Sequence, residues 1–169
     1  MIRKSATFLH CKVSSVLPGG RATGTLVAGV GNDSGDPRLG EIALVRILLA
    51  DDSPAIRRCL RGLLDQQADW LVCDEAVNGK EAVERFRKVK PDLIVLDFQI
   101  PEMNGLDAAR HIAKLSPKTP ILMVTIHLSK QLSEEARKAG FRGACAKTNI
   151  SAVIDAVGAL LRNETYFPN

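Results

Sequence analysis

Apolar residues fall into regular runs only from Arg46 onward. Ile47-Leu48-Leu49-Ala50 is a short apolar run that stops at Asp51-Asp52. Ser53-Pro54 then open a segment with Ile56, Cys59, Leu60, Leu63 and Leu64 at i, i+3, i+4, i+7 and i+8. That spacing is one face of a helix, started by a serine N-cap and a first-turn proline. Leu71-Val72-Cys73 begins a second strand, and Asn78-Gly79 turns into a helix with Ala82, Val83 and Phe86 on one face. Leu93-Ile94-Val95-Leu96 is apolar throughout, as a central parallel strand covered on both faces must be, and it ends at Asp97. The loop from Phe98 to Asn104 leads to a helix from about Gly105 to Leu115, with Leu106, Ala109, Ile112 and Ala113 inward. Pro120 to Val124 reads as strand four, and residues 130–139 as a helix of weaker pattern. Ala144-Cys145-Ala146 reads as strand five, before a helix carrying Ile150, Val153, Ile154, Val157, Leu160 and Leu161.

Strand followed by helix, five times over, predicts an α/β chain with a parallel sheet, right-handed crossovers and helices on both faces. The flavodoxin-like (βα)5 doubly wound sheet, order 2-1-3-4-5, is the common solution, with its ligand crevice at the carboxyl ends of the strands. Residues 1–45 follow neither period and hold seven of the thirteen glycines. They are expected to be disordered, or an extension created by a start placed too far upstream. The expected division is therefore 1–45 extension, 46–162 folded domain and 163–169 tail.

The rest of the composition excludes more than it adds. The net charge is +4, with basic residues dispersed, so no nucleic-acid arm is expected. Cys11, Cys59, Cys73 and Cys145 make no metal-binding pattern, and the last three sit in apolar patterns as reduced core thiols. No apolar stretch approaches the roughly 18 residues needed to span a bilayer. Arg3, Lys4 and the apolar residues near them begin like a signal peptide, but His10, Cys11 and Lys12 break the run. A cytoplasmic protein with no membrane contact is expected.

The candidate chemistry lies where strands end. Asp51 and Asp52 end strand one, Asp97 strand three, Thr125 strand four and Lys147 strand five. Parallel strands all point the same way, so three carboxylates, a hydroxyl and an ammonium should meet in one crevice. Three adjacent carboxylates repel each other, and a hard divalent cation, Mg2+, is the natural counter-charge. Asp97 is then placed to accept a phosphoryl group as an aspartyl phosphate. Lys147 can pair with Asp97 before transfer and with a phosphoryl oxygen after it, and the Thr125 hydroxyl can bond another.

The runs Leu49-Ala50-Asp51-Asp52-Ser53 and Leu96-Asp97-Phe98-Gln99-Ile100-Pro101-Glu102-Met103-Asn104-Gly105, with the later Thr125 and Lys147, resemble the receiver domains of two-component response regulators. The resemblance implies Asp97 as phosphoacceptor, and Mg2+ held by Asp52, by Asp51 directly or through water, and by the Gln99 backbone carbonyl. It implies a histidine kinase as phosphodonor. It also implies a downstream protein or second receiver as partner on the face of helix four, strand five and helix five. Such a domain assists its own phosphorylation and dephosphorylation and is not a turnover enzyme. Glu75 to Ala82, His127, and Glu164-Thr165-Tyr166-Phe167 resemble the LuxR/NarL-type subfamily, although no helix-turn-helix follows before Asn169. A stand-alone receiver, or one whose DNA-binding effector was lost or cut away, fits that pattern. Two positions depart from many receivers: Thr148 replaces a proline after Lys147, so a trans bond is expected, and Ala144 stands where an aromatic switch residue is common. A phosphorylation-independent interaction module is the alternative that Ala144 leaves open. A haloacid-dehalogenase-type phosphohydrolase would need an acid at Gln99.

Overall fold

The structure is a computed structural model that describes residues 44–167. The predicted extension lies outside the described residues, apart from Leu44 and Val45. The strands are β1 (Val45–Ala50), β2 (Trp70–Ala76), β3 (Leu93–Asp97), β4 (Ile121–Thr125) and β5 (Gly143–Ala146). They alternate with the helices α1 (Pro54–Leu64), α2 (Gly79–Val89), α3 (Gly105–Leu115), α4 (Lys130–Ala139) and α5 (Ser151–Leu161). All strand pairs are parallel, in the order β2-β1-β3-β4-β5, the expected doubly wound sheet.

Successive strand residues point to opposite faces, and the two faces bury two separate cores. Leu48, Ala50, Ile94, Leu96, Ile121, Met123 and Ala144 pack on the side of α2, α3 and α4. Ile47, Leu49, Leu93, Val95, Leu122, Val124 and Cys145 pack on the side of α1 and α5. This alternation fixes more than packing. Ala50 pairs with Leu96, so the next residues, Asp51 and Asp97, continue the parity of Leu49 and Val95. Lys147 continues that of Cys145. Burial of the apolar rows thus holds a register in which three charged groups leave the sheet on one face, and a one-residue slip would scatter them.

Side-chain caps set where the strand-end loops stop. Ser53, Asn78, Asn104 and Ser129 accept from the N–H groups of Ile56, Glu81, Asp107 and Leu132 and open α1 to α4. Each such cap is worth about 1 kcal/mol. Helix α4 gave a weak apolar pattern because its buried positions are Ser133, Ala136 and Ala139, which are small.

Three local features were not foreseen. The β1–β2 register shifts between Ile47 and Leu48, so that Val72 and Asp74 have partners and Cys73 is skipped. This bulge leaves Cys73 half-buried, and Cys59 is half-buried too. Of the three thiols expected in the core, only Cys145 is buried there, and burial pushes its pKa up to about 12. Second, Val45 belongs to β1, opposite Trp70. Third, ordered pairing continues past Arg162. Tyr166 N–H donates to Arg142 O (3.0 Å), and its carbonyl accepts from Ala144 N–H (2.7 Å), along the outer edge of β5. Phe167 packs against the α2–α4 core, with the Arg137 guanidinium 3.7 Å from its ring centroid.

Gly105 begins α3 directly against the end of β3. A Cβ there would overlap the Asp97 carbonyl oxygen and lie 2.8 Å from Phe98 Cα, both of them backbone. Gly105→Ala is therefore expected to destabilise the domain by about 2 kcal/mol in urea unfolding. A loss below about 0.5 kcal/mol would show that the loop gives way freely.

Candidate functional site

Asp51 leaves β1 with its N–H bonded to Ala76 O (3.1 Å), and its Oδ1 accepts from Ser53 N–H (2.9 Å). Asp97 is the last residue of β3, and its Oδ1 accepts from Gln99 N–H (3.2 Å). Lys147 follows β5, tethered by its N–H to Thr125 O (2.7 Å). Its ammonium donates to Asp97 Oδ2 (2.7 Å) and forms an ion pair with Asp51 Oδ2 (2.6 Å). These side chains are all but sealed: Asp51 is 1% exposed, Asp97 3% and Lys147 8%. Asp52 is exposed, yet its carboxylate comes within 4.8 Å of those of Asp51 and Asp97. Thr125 is buried at the end of β4. The exposed Gln99 lies beside Asp97 through its own backbone bond. The five strand-end residues read from the sequence therefore sit on one edge of the sheet, with the three carboxylates within 4.8 Å of one another and the ammonium on two of them.

The charge count is three negatives against one positive. Burial pushes the Asp51 carboxyl above its ordinary value, and the nearby Lys147 ammonium and the bond from Ser53 N–H only partly offset this. For Lys147 burial opposes the charged form, but its close contacts with the Asp51 and Asp97 carboxylates outweigh this and hold the ammonium above its usual range. Asp51 Oδ2 lies close to the ammonium but poorly aligned for a hydrogen bond, so it remains an under-satisfied buried oxygen. A close contact without a directed bond, among converging hard oxygen donors with excess negative charge, fits a divalent cation such as Mg2+.

The other expectations resolve simply. His111 and His127 are exposed, Ala144 is buried, and every peptide bond among the described residues is trans, Lys147–Thr148 included. Sequence reading missed the support beneath the acids. Arg57 Nη1 donates to the carbonyls of Asp51 (2.7 Å) and Asp52 (3.3 Å), and its Nε donates to Glu75 Oε2 (3.0 Å). Arg61 Nε holds the other Glu75 oxygen at 2.5 Å. The available signal was positional: Arg57 and Arg61 stand one turn apart on α1, directly after the Asp pair.

The family model for the response regulator receiver domain matches residues 47–157. The chain belongs to that family. This receiver is 38% identical over 95 residues to the chemotaxis protein CheY of Thermotoga maritima, covering 56% of this chain and 78% of the relative. It is 33% identical over 124 residues to the transcriptional regulatory protein YxjL of Bacillus subtilis, covering 73% of this chain but only 57% of that longer protein. Among solved structures, a LuxR-family two-component response regulator from Aurantimonas sp. SI85-9A1 superposes with a TM-score of 0.70 at 30% identity, covering 73% of this chain and 89% of the other. The likeness to LuxR/NarL-type receivers read from the sequence agrees with that neighbour. Among the described residues no helix is long and apolar enough to cross a membrane.

Glu75 gives this support a pH signature. Burial alone would raise its carboxyl, but the two arginines together hold it below its ordinary value of 4.5. A depressed carboxylate stabilises the fold above its unfolded pKa, and that contribution disappears as pH falls through the folded value. Glu75→Gln should cost about 1 kcal/mol at pH 7, since the group is partly exposed. In denaturant titrations the gap from the unaltered protein should shrink as pH drops below about 4. A gap independent of pH would contradict the assignment.

Proposed function

We propose that this receiver accepts a phosphoryl group on Asp97 from a phosphohistidine of a histidine kinase, and that the modified state switches a protein-interaction surface. The observation that carries the reading is the sealed Asp97 carboxylate, bonded to Lys147 and flanked by Asp51 and Asp52 at the carboxyl ends of the strands.

In the reaction an Asp97 carboxylate oxygen attacks phosphorus. The P–O bond forms as the P–N bond to the donor imidazole breaks, and the imidazole departs with that electron pair. Asp51, Asp52, Asp97 and the Gln99 carbonyl are the groups proposed to hold Mg2+. When bound, the ion offsets negative charge on the attacking carboxylate and on the phosphoryl oxygens. Lys147 begins on Asp97 Oδ2 and is placed to follow the charge, moving its hydrogen bond to a phosphoryl oxygen as the product forms. The Thr125 hydroxyl, at the end of the neighbouring strand, supplies a further donor. Low exposure around Asp97 and Lys147 keeps bulk water from competing for these bonds.

Movement at Thr125 and Lys147 leads to the proposed output. Thr125 precedes the β4–α4 loop, where Ile126 is 53% exposed. Lys147 follows β5, whose outer edge carries the Tyr166 segment. A phosphoryl group drawing both residues inward biases the α4–β5–α5 face toward a downstream protein or a second receiver. Ala144 supplies no aromatic group for this, so the loop and α4 must carry the change. A cytoplasmic setting follows from the kinase partner.

The test is direct. Incubated with Mg2+ and a small-molecule phosphodonor, the unaltered protein should gain the mass of one phosphoryl group, labile to hydroxylamine. Asp97→Asn should gain none. Absence of the gain in the unaltered protein, or its persistence in Asp97→Asn, overturns the reading.

A further inference from the structure

The acids of the pocket differ in how they are anchored. Asp51 is fixed through its N–H on Ala76, through Oδ1 on Ser53 and through its contact with Lys147. Asp97 is part of β3 itself. Asp52 lies exposed in the loop between β1 and α1, its carboxylate within 4.8 Å of the other two. The carbonyls of Asp51 and Asp52 converge on a single donor, Nη1 of Arg57.

Arg57 is itself held. Its side chain is only 14% exposed, and its Nε is engaged by Glu75. Glu75 is clamped from the other side by Arg61, whose Nη1 also bonds Val72 O (3.3 Å). Glu75 lies in β2, paired with Leu49 of β1. The guanidinium therefore joins the acidic loop to the rigid sheet through two different nitrogens at once, a fork that an ammonium cannot reproduce.

We propose that Arg57 is a positioning residue for cation binding. It fixes the backbone of Asp51 and Asp52 so that the Asp52 carboxylate faces the pocket. The proposal rests on the reading above that the site takes Mg2+. Two physical effects compete at this position and have opposite signs. As a nearby positive charge Arg57 repels a cation, so its removal would tighten binding if charge were all that mattered. As a clamp it limits the motion of a ligand-bearing loop, so its removal weakens binding. Loss of such supporting bonds elsewhere costs about 10- to 100-fold in metal affinity.

Mg2+ is titrated calorimetrically into the full chain, unaltered and as Arg57→Ala, Arg57→Lys and Glu75→Gln, at low and high salt. Thermal melts without the ion check folding. Arg57→Ala and Arg57→Lys are each expected to weaken Mg2+ binding about tenfold or more, by nearly the same factor, with the loss persisting at high salt. Glu75→Gln is expected to weaken it less. Tighter or unchanged binding in Arg57→Ala, or unaltered affinity in Arg57→Lys, overturns the proposal and leaves the Mg2+ site standing. Absence of Mg2+ binding by the unaltered chain overturns both. Should Arg57→Ala fail to fold, Arg57→Lys carries the same decision, because it keeps the charge and loses the fork.

Discussion

One ammonium shared between two buried carboxylates is the constraint around which the rest is arranged. Lys147 reaches Asp97 and Asp51 together from the end of β5. An ion pair this enclosed is poor evidence of stability, since removing charges from water costs about as much as their attraction returns. Its value is in poise. Three acids and one base leave the pocket short of positive charge, and burial makes Asp51 resist ionisation. In the proposed reaction a divalent cation relieves that deficit, and a transferred phosphoryl group then gives Lys147 and Thr125 a new anion to bind. The fold thus holds a buried excess of negative charge at one edge of the sheet.

That excess can exist only because the hydrophobic cores fix the sheet. Fully buried apolar rows on both faces of β1, β3 and β4 make a register slip too costly, and the parity of those rows carries Asp51, Asp97 and Lys147 to one face at one edge. Helix caps at Ser53, Asn78, Asn104 and Ser129 then end the loops on that edge at defined residues. The Gly105 approach to the Asp97 carbonyl lets α3 start immediately behind Asp97. Burial sets the geometry, and the geometry sets the chemistry.

Much of this was legible in the sequence because two strong signals coincided. Four-residue apolar runs such as Leu93 to Leu96 end in a charged residue, and helical spacing in α1, α2 and α5 separates them. The strand order and the convergence of the strand-end residues follow from those runs and the rules of parallel sheets. The less legible parts lack a periodic or compositional mark. Helix α4 buries Ser133, Ala136 and Ala139, so its inward face lacks the large apolar side chains that mark the other helices. The skip at Cys73 and the Tyr166–Phe167 segment on β5 depend on backbone pairing between distant residues, which no local pattern encodes. The Arg57–Glu75–Arg61 support escaped for a similar reason. Arginines on a helix look like solvated surface until the neighbouring strand places a carboxylate between them.

Backbone amide NMR during a Mg2+ titration tests whether the strand ends form one cation-holding, phosphoryl-accepting pocket. Saturable shifts are expected at Asp51 to Ser53, Asp97 to Gln99 and Lys147, with the amides of α2 and of the β1 and β3 interiors unmoved. Shifts centred elsewhere on the domain, or none at these residues at millimolar Mg2+, would contradict it.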